Sequence, residues 1–139
     1  MSAPAPRDRV RDRVPLAVGL DVFSVVLFVA LGRRSHDESG AFTAVIETAA
    51  PFLVGLAAGW AVAQAWKRPT NILTGIVIWP VTILVGMILR NLVFDRGTAT
   101  SFVIVATLFV GALLVGWRIA LRLLEQRRAH SSGGPLTAK

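Results

Sequence analysis

Long apolar runs alternate with short polar breaks along the whole chain. The runs are Val14 to Leu31 (18 residues), Ala44 to Trp66 (23), Asn71 to Val93 (23) and Thr98 to Trp117 (20). About 20 apolar residues in a helix cross the hydrocarbon core of a bilayer, so the pattern predicts four transmembrane helices. The breaks at 32–43, 67–70 and 94–97 are too short to hold a domain, which makes consecutive helices antiparallel neighbours in an all-α, up-and-down bundle. Residues 1–13 and the stretch beyond about Ala129 are rich in Pro, Ser, Gly and charge. They read as tails of residues 1–13 and 118–139 around a membrane domain of residues 14–117, with a basic juxtamembrane helix following Trp117.

The ends of the runs carry suitable residues. Pro15 suits a first helical turn; Thr70 or Asn71, and Thr98 or Thr100, suit N-caps, and Gly32 and Gly97 suit turns. A basic leader before an apolar run also suits a cleaved signal peptide, but Asp21 lies within the run and Gly-Arg-Arg-Ser-His follows it, which favours an anchored span.

Composition agrees: 54% of residues are hydrophobic and only 17% charged, below the roughly 25% charge of soluble domains. The net charge of +7 is distributed between and beyond the apolar runs, not on a stripe with stacking aromatics, so no nucleic-acid partner is expected. Of the 15 Lys and Arg residues, the N-terminal stretch, the second break and the C-terminal stretch hold 11 (Arg7, Arg9, Arg11, Arg13, Lys67, Arg68, Arg118, Arg122, Arg127, Arg128, Lys139). Arg33, Arg34, Arg90 and Arg96 make up the other 4. The positive-inside rule therefore puts both termini in the cytoplasm, at the cell membrane, with anionic headgroups as a partner of the basic side.

Asp21 stands out, because an aspartate near the bilayer centre costs about 2.5–3.5 kcal/mol on insertion scales. Counted from Val14 it lies about 10 Å deep. Trp60 and Trp79 come to similar depth on the neighbouring runs, and an indole N–H from either suits the carboxyl. The group reads either as a proton- or cation-responsive site or as a hydrogen-bonded lock between helices. A lock is expected to tolerate Asp21→Asn where its hydrogen bonds survive. Glu47 and Arg90 fall at one level near the outer surface and predict an ion pair, or two separately solvated side chains.

Gly55, Gly59 and Ala63 recur at four-residue steps, a pattern that admits close approach of another backbone, from the same bundle or from a second copy. Pro51 and Pro80 interrupt hydrogen bonding within two of the runs. Trp66 and Trp117 read as interfacial anchors. The chain has no cysteine, and its two histidines, His36 and His130, are far apart. No metal or other cofactor is expected; the mixed charges of residues 33–38 read as a solvated loop. No nucleotide loop, hydrolase elbow or HExxH motif occurs, so the expectation is a non-enzymatic interaction or assembly protein, with a homo-oligomer or membrane-protein partner. A small oligomeric transporter or channel using Asp21 is the alternative.

Five segments, Gly32-Arg33-Arg34-Ser35-His36, Thr48 to Leu53 leading to Gly59-Trp60, Gly86 to Arg90, Gly97 to Phe102 and Gly116-Trp117-Arg118, together resemble a family of small bacterial membrane proteins. It is the domain of unknown function numbered three thousand and fifty-four. The resemblance covers roughly Leu16 to Arg118 and implies a multi-pass membrane protein, with no activity or site residue assigned.

Overall fold

A computed structural model describes residues 6–33, 41–94 and 99–132. Four long helices account for nearly all of them: α1 (Pro6–Arg33), α2 (Ala41–Ala63), α3 (Ile72–Phe94) and α4 (Thr100–Ser132). Each is long and apolar enough to cross a membrane. Two helices extend past the apolar runs that announce them. α1 starts at Pro6, not Val14, so residues 6–13, expected as a tail, are helical, and Pro15 lies inside the helix instead of in its first turn. α4 passes through the basic segment to Ser132 without a break. Length is the physical reason: once a helix is nucleated, each added residue gains a backbone bond at little cost. The two extensions also meet, with Arg13 Nη1 2.6 Å from Glu125 Oε1.

Between α2 and α3, Gln64 takes a left-handed conformation (φ 47°) that stops α2, and a 3₁₀ turn, Ala65–Lys67, follows. Thr74 Oγ1 donates to the Arg68 carbonyl, and Asn71 Oδ1 accepts from the Leu73 amide at the start of α3. These bonds occupy backbone groups that a helix end leaves open.

α1 packs on α2 and α4, and α3 packs on the same two helices, so α1 and α3 lie diagonally across the bundle. Contacts count up one helix as they count down its neighbour. Phe52 lies against Gly86, Gly55 against Thr82 and Gly59 against Ile78 along α2 and α3. A Cβ on Gly55 would stand 2.5 Å from the Thr82 carbonyl oxygen, and one on Gly59 would stand 3.0 Å from that of Ile78. Ala63 also packs on the core. The small-residue face of α2 therefore belongs to its own bundle, where close backbone approach supplies van der Waals contact.

One end of the core is aromatic: Phe28 stands edge-on to Phe52 at 6.1 Å and 5.9 Å from both Phe102 and Phe109. Facing stripes run from it along α1 (Ala17, Asp21, Val25, Val29) and α4 (Ala106, Val110, Leu114, Arg118), all buried and at four-residue steps. Each stripe places one charged residue among apolar ones.

Candidate functional site

Asp21 is 0% exposed, and so is Arg118. Arg118 Nη1 donates to Asp21 Oδ1 at 2.8 Å and Nη2 donates to Oδ2 at 2.7 Å, a bidentate pair that fixes α4 against α1. Trp117 Nε1 donates to Oδ1 at 2.8 Å, and Trp60 Nε1 donates to Oδ2 at 2.9 Å. Each carboxylate oxygen thus accepts two bonds. The guanidinium is equally engaged, since its Nε donates to the Pro69 carbonyl at 3.1 Å and Nη1 also donates to the Leu114 carbonyl at 2.6 Å. Its Cζ lies 4.3 Å from the centroid of the Trp117 ring.

Such saturation is what burial demands, because an isolated charge out of water costs several kcal/mol and attraction offsets this only with good geometry and satisfied lone pairs. Gly75 makes room for the arrangement: a Cβ there would lie 2.9 Å from Arg118 Cδ. α1, α2, α4 and the 64–71 connection therefore converge on one ion pair. No lone pair of Asp21 faces open space, which leaves the site without a vacant position for a cation.

The pairing of Asp21 with Trp60 agrees with the depth argument. Trp79 does not join them; its Nε1 donates to the Thr107 carbonyl of α4 at 2.8 Å, and its indole lies against Gly111. Depth alone does not say which way a residue faces, and α3 is diagonal to α1. Nor does Asp21 lie at mid-bundle: its partner Arg118 reaches Pro69, in the connection between α2 and α3. Trp117, expected as an anchor, turns its indole N–H inward to Asp21, whereas Trp66 is 49% exposed.

Glu47 and Arg90 are level, since the α2–α3 register continues to them, but no ion pair joins them among the described residues. Glu47 is exposed, while the Arg90 guanidinium lies 4.5 Å from the centroid of the Phe102 ring on α4. Facing direction again decides. Among the described residues no group of His, Asp and Glu is arranged to hold a metal. In the charged stretch 33–38, residues from Arg34 onward, including His36, lie outside the described residues, as do Gly97 and Thr98.

Sequence reasoning missed Arg118 as a partner by counting it with the cytoplasmic basic residues. Spacing gave a partial signal: Arg118 continues the four-residue apolar stripe Ala106, Val110, Leu114, and Arg127 and Arg128 leave it, but Arg122 falls on the same step and is exposed, so the packing of α4 and not the spacing separates the two arginines.

A family profile of proteins of unknown function, DUF3054, matches residues 18–121. The chain belongs to the DUF3054 family. Asp21, Trp60, Trp117 and Arg118 all fall inside the part of this DUF3054 protein that the profile matches, whereas Arg13 and Glu125 fall outside it. No curated protein and no solved structure matches the chain.

Proposed function

We propose that this DUF3054 protein is a non-enzymatic interaction or assembly protein of the cell membrane, crossing it four times with both termini in the cytoplasm. The observation that carries the reading is the closed coordination of Asp21 by two indoles and a guanidinium. A carrier's acid needs a lone pair that cargo can reach, and a catalytic acid needs one that substrate can reach. Asp21 is a lock, and recognition is left to the outer surfaces of the bundle. Orientation follows from charge: the start of α1, the 64–71 connection and the end of α4 carry most of the Lys and Arg residues and meet at the end of the bundle that holds the Arg13–Glu125 pair.

Two measurements test this. Because the chain lacks cysteine, single cysteines at Ser131 and Phe42 can be labelled in intact cells and in opened vesicles. Ser131→Cys is expected to react only once the cytoplasmic side is exposed, and Phe42→Cys to react from outside; the reverse pattern defeats the orientation. Reconstituted protein is also expected to carry no proton or cation flux above empty liposomes. A flux that Asp21→Asn abolishes in protein shown to remain folded would establish the transporter reading instead.

A further inference from the structure

A second polar feature lies beside the lock, at the end of the bundle proposed to face the cytoplasm. A half-open cleft of about 280 Å³ is lined by the start of α1, the 64–71 connection and the end of α4. Four cationic side chains line it, Arg13, Lys67, Arg68 and Arg122, against one carboxylate, Glu125. Glu125 is engaged by Arg13. Lys67 donates to the neutral amide of Gln64, and among the described residues no carboxylate pairs with Lys67, Arg68 or Arg122. Three uncompensated cations therefore converge from two parts of the fold on one half-open cleft. Asn71, the residue before α3, also lines the cleft.

We propose that this cleft binds the phosphate of an anionic phospholipid headgroup. Guanidinium groups recognise phosphate by paired, charge-assisted hydrogen bonds, and a cluster of Lys and Arg at the cytoplasmic end of transmembrane helices meets anionic headgroups at their own level. The walls suit a lipid more than a small soluble anion, because Val10 and Leu121 contribute apolar surface beside the cations. Exposed Trp66 stands next in sequence to Lys67 and marks the edge of the span. The cleft also has a fixed floor: Pro69 lines it, and its carbonyl accepts from Arg118 Nε. The inner ion pair thereby holds the connection that presents Lys67 and Arg68. This inference rests on the membrane reading above.

The test uses the full chain extracted from mixed membranes of phosphatidylcholine and phosphatidylglycerol, with retained lipid read by native mass spectrometry. A first step asks whether the protein stays in the membrane fraction through alkaline carbonate; release there defeats the membrane reading itself, independently of the cleft. Wild-type protein is expected to retain phosphatidylglycerol in preference to phosphatidylcholine. The double variant Arg68→Gln/Arg122→Gln should lose that retention by about tenfold or more, given the strength of charge-assisted bonds. Arg11→Gln/Arg127→Gln makes the same charge change away from the cleft and should retain lipid as wild type does. Equal losses in the two double variants, or equal retention of both lipids by wild type, overturn the site in favour of diffuse surface charge. Inorganic phosphate provides the last arm. If it raises the thermal stability of delipidated wild type but not of the cleft variant, while phosphatidylglycerol is not retained, the lipid assignment is overturned and a soluble phosphate is the ligand.

Discussion

Arg118 and Asp21, 97 positions apart, meet through two nearly parallel hydrogen bonds of 2.8 and 2.7 Å with neither side chain exposed. Replacing one partner strands the other. Arg118→Met is expected to lower unfolding stability in detergent by about 3–5 kcal/mol, the usual cost of leaving one buried charge without its partner. Asp21→Leu/Arg118→Met should be destabilised by clearly less than the two single changes together, because the pair is then removed as a unit. Additive losses measured by chemical unfolding would show that the two residues are not energetically coupled.

Asp21→Asn is a sharper probe than the sequence suggests. Seen as a simple hydrogen-bonded lock, the site should accept an amide of the same shape. In the structure all four partners of the carboxylate are donors, so an amide nitrogen would face two N–H groups and Arg118 would lose its counter-charge. The expected loss is therefore about as large as that of Arg118→Met, roughly 3–5 kcal/mol. Unchanged stability would contradict the geometry.

Trp60→Phe and Trp79→Phe separate two of the three inward-facing indoles. The first removes a bond to a charged acceptor and should cost about 1.5–3 kcal/mol; the second removes a bond to the Thr107 carbonyl and should cost about 0.5–1.5 kcal/mol. In double-mutant cycles with Asp21→Asn, Trp60→Phe should couple and Trp79→Phe should add. Coupling of Trp79 instead would place it in the site.

Glycine substitutions report on packing. Gly55→Ala drives a Cβ toward the Thr82 carbonyl oxygen and should destabilise the bundle by about 1–3 kcal/mol, as overpacking commonly does. Gly19→Ala meets nothing within 4 Å and should be neutral or stabilising by up to about 1 kcal/mol. Thermal unfolding of the two variants side by side checks the contrast. Equal effects would mean that α2 and α3 are not in close contact.

Glu125→Gln breaks an ion pair whose side chains are 42% and 45% exposed. Water and salt screen such a pair, so the expected change is below about 1 kcal/mol and should vanish in high salt. A larger, salt-insensitive loss would show the end of α4 to be more deeply packed than its exposure indicates.

Run length in the sequence alone determined the four helices and their order, because crossing hydrocarbon requires a minimum apolar length and nothing else in the chain supplies one. Asp21 was legible for the same reason: a carboxylate in such a run is expensive wherever its helix packs. Depth counting also reached Trp60, and it put Glu47 level with Arg90. What depth could not supply was direction about the helix axis. Trp79 and Trp60 share a depth, yet α3 lies diagonal to α1, so one indole meets Asp21 and the other meets Thr107. Helix length misled in a related way, since α1 and α4 continue past their apolar runs, and the continuation of α4 holds the buried Arg118. Only the packing of α4 on α1 distinguished that arginine from the basic residues beyond it, because a guanidinium is buried or solvated according to what stands opposite it, and its own sequence neighbours do not fix that.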